Sequence, residues 1–503
     1  MLNTIIAYLH RLGFNHKLNE FKNNYYSHPN YPSLLAITDS LNLVGIENVA
    51  ANVPFNNINN LPNKFVAELV VNNKNDFFII EKVDDEFFIS NENFKRKQYS
   101  FQSLTVFWTG LILLVEENES PTTKENDSRY SNFILLAIIG LCLVLLKNNS
   151  FYTIVQLILS LTGLFLSLEI NKSFFSGSKD IESKFCNYGN DFSCNDIIKS
   201  NTEIFKKHLS FVDLPILFFS FSFLLQVFFP NLIEIIGLLS LLSSPVILYS
   251  IYYQKFKAKK WCVLCLSVSF VIILNSILFL LNFNSPKVDF VDVFNVFFLM
   301  LIVYMFWKVI KKNILKNNDL QNQNNALLRF KRDKEIFEKL SKNVELNSAN
   351  LNLIELGNEN ARNTIILFIS PSCPHCHKAF KESIEIIEKF PEAYNLKIGF
   401  NVNVNNNENP FIDVVFIILR LHSSNGDYKN ALIDWHIRNM EIEKWKEKWE
   451  MTVISTKNEI EEIKNQFNWC LQNDFHYAPV RVFNGFLLNE NYDLKDVFYF
   501  VDD

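Results

Sequence analysis

The sequence predicts a multi-domain chain in which an α-helical membrane bundle lies between two soluble α/β domains. Its 503 residues exceed the usual size of one domain. The chain is 49% hydrophobic yet 20% charged, because long apolar runs are concentrated in its middle. Six of its eight cysteines form three close pairs. The net charge of -5 and the lack of a basic stripe with interleaved aromatic residues argue against a nucleic-acid partner.

Residues 1–116 predict the first α/β domain. NTIIAYLHRL and YPSLLAITDSLNLV have helical spacing. Short apolar segments predict four strands: FVAELVV, DFFIIEKV, EFFIS and TGLILLVEE. The opening residues lack a basic start, a long apolar run and a small-residue cleavage site, so we expect no signal peptide. Residues 117–131 are polar and predict a linker.

Residues 132–309 predict a transmembrane four-helix bundle with flanking helices. A spanning helix needs about 20 apolar residues. Apolar runs lie near 133–147, 151–170, 211–229, 231–253, 262–282 and 289–307. The first has only 14 uninterrupted apolar residues and is marginal as a span. Adjacent runs separated by short polar stretches favour a lipid environment over a buried soluble core.

Residues 310–350 predict a polar connector and 351–503 the second α/β domain. NTIILFIS predicts a strand, CPHCHKAFKESIEIIEKF a helix and LKIGFNVNV another strand. A helical stretch follows over 411–473. PVRVF then predicts a strand, with a turn at Asn484-Gly485.

Cys373 and Cys376 form a CPHC dithiol at the predicted strand-to-helix junction. The partial positive charge of a helix amino terminus favours a thiolate, and His375 can add a charge or a hydrogen bond. A stabilised thiolate makes the corresponding disulfide a strong oxidant. Half of a zinc site is the alternative, but no second pair of ligands lies nearby in sequence, so we predict no metal.

ILFISPSCPHCHKAF and FHYAPVRVFNG resemble the DsbA-like thioredoxin family over most of 351–503. The resemblance implies a thioredoxin fold with Pro479 in the cis form beside the dithiol. Such a proline lacks an N–H, and the strand beside it can pair with a substrate backbone. Ala478 stands where the family commonly has Thr, a change that we expect to alter the reduction potential.

Two more cysteine pairs belong to the membrane region. Cys262 and Cys265, in KKWCVLCLSVSF, lie one helical turn apart at the start of a predicted span. Cys186 and Cys194 lie in a polar stretch between two spans. Taken alone, the first pair could be small core residues and the second a structural disulfide.

Together these pairs resemble the vitamin K epoxide reductase family over 150–308. That family has two loop cysteines, a Ser shortly after them and a CxxC at the head of a later helix, in a four-helix bundle around a quinone. The matching residues are Cys186, Cys194, Ser200, Cys262 and Cys265. Bacterial members commonly carry a fused thioredoxin domain.

The resemblance implies an electron relay from substrate thiols through the CPHC pair, then the loop pair, then the CxxC. Cys373 would attack Cys186, and Cys194 would exchange with Cys262. Cys265 would then lie beside ubiquinone or menaquinone. Ser269 stands where some members have a Tyr.

HPNYPSLLAITDSLN, DFFIIEKVDDEFFIS and TVFWTGLILLVEE resemble the bacteriocin-leader cysteine peptidase family, which implies a papain-like fold for 1–116. Peptidase chemistry needs a Cys activated by a His. The first 141 residues contain no Cys, and apolar residues stand at the family's His position. We therefore predict a peptidase-like domain without peptidase activity, and we expect His10, His16 and His28 at the surface.

The predicted location is a bacterial inner membrane, with the redox sites on the extracytoplasmic face. Dithiol oxidation belongs outside the cytosol. Lysines in 255–260 and 308–312 lie on the predicted active face, however, and the positive-inside rule would place them in the cytoplasm.

The predicted function is quinone-coupled oxidation of protein dithiols in exported cysteine-containing proteins, with membrane lipid as the surroundings. The alternative is a peptide-binding accessory of an export system whose dithiols maintain a client's cysteines. We expect Cys142 to be a helix-packing residue and Cys470 to be buried.

Overall fold

The computed structural model describes residues 1–116, 151–175, 209–282, 289–345 and 351–501, apart from 72, 84–85, 92–93, 407 and 450–456. Internal contacts divide the chain into two compact units. The first combines Met1–Tyr26 with Pro32–Asn325, and the second combines Ser27–Tyr31 with Ala326–Asp503. The predictions for the 133–147 span, Cys142, Cys186, Cys194 and Ser200 lie outside the described residues.

The amino-terminal region forms an antiparallel six-stranded sheet with the order β1-β6-β2-β3-β4-β5. Its strands are β1 Asn48–Asn52, β2 Lys64–Val71, β3 Lys74–Val83, β4 Glu86–Asn91, β5 Phe94–Ser100 and β6 Trp108–Val115. Its helices are α1 Leu2–Arg11, α2 Leu18–Tyr26, α3 Leu34–Leu43 and α4 Phe101–Thr105. The structure confirms the two predicted helices and four predicted strands. The sequence did not predict the two edge strands: β1 (NVAAN) is polar or small apart from Val49, and β5 (FKRKQYS) is mostly polar.

The amino-terminal histidines only partly follow the prediction. His10 and His16 are exposed, as expected. His28 is 3% exposed, so its placement at the surface was wrong. Its Nδ1 accepts a hydrogen bond from the Asn30 N–H at 3.1 Å, which satisfies one polar atom of the buried ring.

Six apolar helices follow in the first unit. They are α5 Phe151–Phe175, α6 Asp213–Phe228, α7 Glu234–Leu242, α8 Ser244–Tyr252, α9 Val263–Leu281 and α10 Phe290–Lys331. Four helical segments among the described residues are long and apolar enough to cross a membrane: Phe151–Phe175, Pro230–Ala258, Val263–Leu281 and Phe290–Lys331. The run near 211–229 forms the shorter α6, which has 16 residues. The part of α10 that belongs to the first unit ends at Asn325.

Small residues allow these helices to approach closely. A Cβ on Gly163 would lie 2.1 Å from the Phe219 ring, and one on Gly237 would lie 2.3 Å from the Phe279 Cβ. A buried hydrogen bond also joins α5 to α6, since the Gln226 side-chain amide donates to Ser160 Oγ at 2.7 Å. The helices are therefore packed against one another by contact and by buried polar pairing.

A buried ion pair lies at one end of the bundle. Asp213, 1% exposed, accepts hydrogen bonds from Lys311 Nζ at 2.5 Å and Trp307 Nε1 at 3.0 Å. The backbone N–H of Ser210 donates to the same carboxylate at 2.7 Å. Asp213 thus joins the first turn of α6 to α10 through a carboxylate that accepts hydrogen bonds from three groups.

The second unit is built on a mixed five-stranded sheet with the order β11-β10-β8-β9-β7. Its strands are β7 Ile354–Gly357, β8 Asn363–Ile369, β9 Tyr394–Phe400, β10 Val480–Phe483 and β11 Phe486–Leu487. Its helices are α11 Lys334–Leu340, α12 Pro374–Lys389, α13 Ile412–Ser423, α14 Tyr428–His436, α15 Ile442–Trp449 and α16 Lys457–Gln472. Strands β8 and β9 are parallel, and the other neighbours are antiparallel.

The predicted turn between β10 and β11 is confirmed. Asn484 and Gly485 have φ values of 47° and 86°, so both residues adopt the left-handed region. Asn and Gly reach that region at low cost, and two such residues connect a tight hairpin. On its other side, strand β10 pairs with β8, the strand that leads to the CPHC dithiol.

Candidate redox sites

The CPHC dithiol lies at the amino terminus of α12, directly after β8. Cys373 is the residue that precedes the helix, and Pro374 occupies its first position. Proline suits this position because the first turn lacks a partner for its N–H. The Cys376 N–H donates to the Cys373 carbonyl at 3.0 Å, so the two cysteines lie on one helical turn.

The two thiols of this pair have different surroundings. Cys373 is partly exposed, and its thiol donates a hydrogen bond to the Ala478 carbonyl at 3.2 Å. Cys376 is fully buried and accepts a hydrogen bond from the Ser370 N–H at 3.4 Å. Burial raises the pKa of the Cys376 thiol well above its usual range, against the opposing effect of that N–H. Cys373 is therefore the thiol suited to attack, and Cys376 is suited to a later, resolving step.

The Ala478-Pro479 peptide bond is cis, which confirms the conformation expected for Pro479. Strand β10 begins at the next residue, Val480. The side chain of His375 is exposed, and among the described residues it makes no hydrogen bond to Cys373. Its effect on the thiolate remains a prediction.

A histidine pair beside this dithiol was not predicted. The Nδ1 atoms of His377 and His436 are 3.0 Å apart, so one ring donates a hydrogen bond to the other. His436 is 1% exposed, and its Nε2 has no hydrogen-bond partner among the described residues. Burial, reinforced by His377, lowers the pKa of His436 to about 3. His436 is therefore neutral in the folded domain at ordinary pH.

The loop before the dithiol is held against α14, the helix that carries His436. Trp435 Nε1 donates to the Pro371 carbonyl at 3.0 Å. The His436 ring lies 5.1 Å from the Phe380 ring of α12. No local sequence signal could pair His377 with His436, because the two residues are 59 positions apart.

The membrane-region dithiol has a related local geometry. Cys262 is the residue that precedes α9, and its Sγ accepts a hydrogen bond from the Cys265 N–H at 3.3 Å. Cys262 is fully buried, whereas Cys265 is partly exposed. Ser269, one turn further, donates its hydroxyl hydrogen to the Cys265 carbonyl at 2.9 Å.

A cavity of about 480 Å³ lies among the helices of the first unit, and Cys265 is part of its wall. The wall is mainly aliphatic and aromatic, with residues such as Phe218, Val268 and Ile272. A few polar side chains also line it, namely Ser243, Ser250, Tyr253, Ser269 and Tyr304. This volume and this mixture are typical of a site for an apolar small molecule with a polar end.

The described site residues fall into the two units. Cys262 and Cys265 belong to the first unit, and Cys373 and Cys376 belong to the second. The described residues contain no group of three or more His, Cys, Asp or Glu side chains arranged to hold a metal ion. Cys470 is fully buried, as expected.

Comparison with known proteins concerns the carboxy-terminal region. Residues 350–474 match a thioredoxin family model. No curated protein matches the chain. Among solved structures, the chain is similar to Proteus mirabilis ScsC in a transitional conformation, with 11% identity, a TM-score of 0.27 and coverage of 38% of this chain and 92% of that one.

Two further structures are similar over a smaller share of this chain. A periplasmic thioredoxin-like protein from Salmonella enterica serovar Typhimurium has 13% identity and a TM-score of 0.25, covering 29% of this chain and 85% of that one. A putative protein-disulfide isomerase from Pseudomonas syringae has 15% identity and a TM-score of 0.23, covering 29% of this chain and 94% of that one. The family match defines the carboxy-terminal region as a thioredoxin-like domain, attached to a region whose helices are apolar enough to span a membrane.

Proposed function

We propose that this protein is a membrane thiol–disulfide oxidoreductase that oxidises protein dithiols and passes the electrons to a quinone. The observation that carries the proposal is the position of Cys265 in the wall of an apolar cavity within the helical bundle. A redox-capable dithiol at such a cavity can exchange electrons with a lipid-soluble acceptor.

The substrate side of the reaction is the CPHC dithiol. In its disulfide form, Cys373 is the sulfur that an incoming client thiolate can reach, because Cys376 is buried. The client's second thiol then displaces Cys373, which leaves the client oxidised and the CPHC pair reduced. Strand β10 is paired with both β8 and β11, so the client chain would instead contact the backbone at Ala478 and Pro479, beside Cys373.

The path from the CPHC pair to the cavity is serial thiol–disulfide exchange. The loop pair Cys186 and Cys194 would take the electrons from Cys373 and Cys376 and deliver them to Cys262. Each exchange forms one disulfide and breaks another, so two electrons and two protons move per cycle. Ser200 follows the loop pair and would support it, as the family resemblance implies.

The cavity fits the acceptor that the proposal requires. A quinone has an apolar tail and a headgroup with two oxygens that accept hydrogen bonds. The apolar wall suits the tail, and Tyr304 in the wall carries a hydroxyl that could donate a hydrogen bond to the headgroup. Ubiquinone or menaquinone, when bound, would supply an acceptor for two electrons and two protons.

The clients would be exported cysteine-containing proteins, and the redox sites would lie on the extracytoplasmic face of a bacterial inner membrane. The basis is chemical, since newly formed disulfides persist only where thiols are not kept reduced. In this proposal the amino-terminal domain, which resembles a peptidase but lacks a cysteine nucleophile, binds a peptide without cleaving it.

The test is quinone reduction by the purified protein in detergent, with dithiothreitol as the electron donor. We expect turnover in the wild type and in Cys470→Ala, and none in Cys265→Ala. Cys470 is the matched control because it is buried in the thioredoxin-like domain, in a cluster that contains neither Cys373 nor Cys376. Equal turnover in all three proteins, or none in folded wild type with either quinone, would refute the proposal.

A further inference from the structure

The helix that precedes the Cys262–Cys265 dithiol ends in an uncommon turn. Residues Tyr253–Ala258 form a π-helical turn at the end of α8. Lys259 follows with φ of 51°, in the left-handed region, and the Lys260 N–H donates to the Gln254 carbonyl at 3.3 Å. Such turns are rare and are frequently found at functional sites. This one folds the chain back so that Cys262 lies beside Gln254.

Both polar atoms of the Gln254 side chain are hydrogen-bonded. It is 1% exposed, and its Oε1 accepts a hydrogen bond from the Cys262 N–H at 2.9 Å. Its Nε2 donates to Ser250 Oγ at 3.3 Å, which fixes the orientation of the amide. A backbone N–H at the start of a buried helix needs such an acceptor. Gln254 therefore determines the orientation of the Cys262 backbone.

That orientation decides where the Cys262 sulfur lies. With φ of -107° and ψ of 109°, Cys262 has the extended conformation of a residue that caps a helix. Its Sγ then accepts the Cys265 N–H at 3.3 Å. A hydrogen bond donated to sulfur stabilises the thiolate, and so does the amino terminus of α9.

We propose that Gln254 is a positioning residue for the membrane-region dithiol, because its amide oxygen holds Cys262 in the capping conformation that stabilises the thiolate. The inference rests on the proposed function insofar as it takes Cys262 to be a redox thiol. Gln254 does not react itself. It acts through the Cys262 N–H.

The π-helical turn also separates the roles of the two thiols. Ser250 and Tyr253 face the cavity that Cys265 lines, whereas the next residue, Gln254, contacts Cys262. The π-helical turn thus contributes Tyr253 to the cavity wall, and its Gln254 holds the backbone of Cys262, which is not part of that wall. Cys265 is placed for chemistry at the cavity, and exchange of Cys262 with another thiol requires its surroundings to open, because Cys262 is fully buried.

The experiment measures the redox equilibrium of this one pair. The full chain is prepared in detergent with every other cysteine replaced by alanine, and is equilibrated with glutathione. Two glutathione thiols reduce the Cys262–Cys265 disulfide to two protein thiols and are released as one glutathione disulfide. We expect Gln254→Leu to shift this equilibrium toward the protein disulfide by about tenfold, or roughly 30 mV for a two-electron couple.

Two further variants separate positioning from stability. Gln226→Leu removes another buried amide of the bundle, one that bonds Ser160 instead of Cys262. It should lower the melting temperature and leave the glutathione equilibrium unchanged. Gln254→Asn keeps an amide but is one methylene too short to reach the Cys262 N–H, so it should shift the equilibrium as Gln254→Leu does. It also serves if Gln254→Leu does not fold.

An equilibrium constant within twofold of wild type in the folded Gln254 variants would overturn the inference. An equal shift in Gln226→Leu would also overturn it, since the effect would then be general loosening of the bundle. The glutathione equilibrium does not depend on quinone. A shift in Gln254→Leu without quinone turnover in wild type would therefore support the positioning role and refute the proposed function.

Discussion

The buried histidine pair predicts that the thioredoxin-like domain loses stability as the pH falls through the mildly acidic range. His436 has a folded-state pKa of about 3, against 6.5 for an unperturbed histidine. Between these values the unfolded chain binds a proton that the folded domain excludes. The free energy of unfolding therefore decreases as the pH falls from about 6.5 towards 3. Burial also lowers the pKa of His377, so its contribution has the same sign.

The expected size follows from the shift. Each pKa unit corresponds to about 1.4 kcal/mol, so excluding the proton from His436 costs about 2 kcal/mol at pH 5 relative to pH 7.5. The perturbation is His436→Phe, which keeps a planar ring beside Phe380 and cannot take up a proton. This variant should lose about 2 kcal/mol less than wild type over the same pH interval.

Cys470 provides a local probe of unfolding. It is fully buried, and burial raises the pKa of its thiol to about 12, so it reacts only when the domain opens. In a full chain whose other cysteines are alanine, urea titrations at pH 5 and 7.5 would be read by labelling Cys470 with a maleimide. Rates would be normalised to the fully unfolded chain at each pH. Phe380→Leu is the control, because it damages the same cluster without changing a titratable group. Equal pH dependence in wild type and His436→Phe would refute the reasoning.

Three further outcomes are expected. Asp213→Asn leaves Lys311 half-buried without its counter-ion and should destabilise the bundle by about 3–5 kcal/mol, seen as a lower melting temperature in detergent. An unchanged melting temperature would contradict this. Gly237→Ala would force a methyl group into Phe279 and should destabilise the bundle by about 1–3 kcal/mol, and an unchanged melting temperature would contradict this too. In Cys376→Ala, Cys373 can still attack a disulfide of an exported protein, which forms a mixed disulfide while the other client sulfur leaves as a thiolate. Because Cys376 is no longer present to displace the client, this species should persist on non-reducing gels. No trapped species from an extract of exported proteins would argue against thiol–disulfide exchange with such clients.

Local patterns were sufficient for the elements that bury an apolar face. β2, β3 and α12 were predicted because their apolar residues repeat at the period of a strand or a helix. The edge strand β5, FKRKQYS, was missed because one neighbour and a solvated face place little demand on its composition. The described part of the predicted helical stretch 411–473 contains four helices, and their boundaries depend on tertiary packing that periodicity does not encode.

In the candidate sites, too, local sequence predicts some features, and others depend on tertiary packing. The placement of Cys373 and Cys262 at helix starts follows from local sequence, since an apolar helical pattern begins immediately after each of them. The side chains that contact these two dithiols cannot be inferred from local sequence. The Gln254 side chain reaches Cys262 through a π-helical turn, and His436 reaches His377 through the packing of two helices. Contacts of this kind depend on three-dimensional distance, so a single sequence cannot reveal them.

The surroundings of the two described dithiols bear on the direction of electron flow in the proposed relay. Both first cysteines precede a helix, but their sulfurs make opposite hydrogen bonds. Cys373 donates its thiol hydrogen to the Ala478 carbonyl, a bond that only the protonated sulfur can make. Cys262 accepts the Cys265 N–H, a bond that strengthens when the sulfur is ionised. A better stabilised thiolate favours the reduced form and makes the disulfide the stronger oxidant. In the proposed relay, this difference would favour transfer of electrons from the thioredoxin-like domain to the membrane-region pair, which is the direction that client oxidation requires.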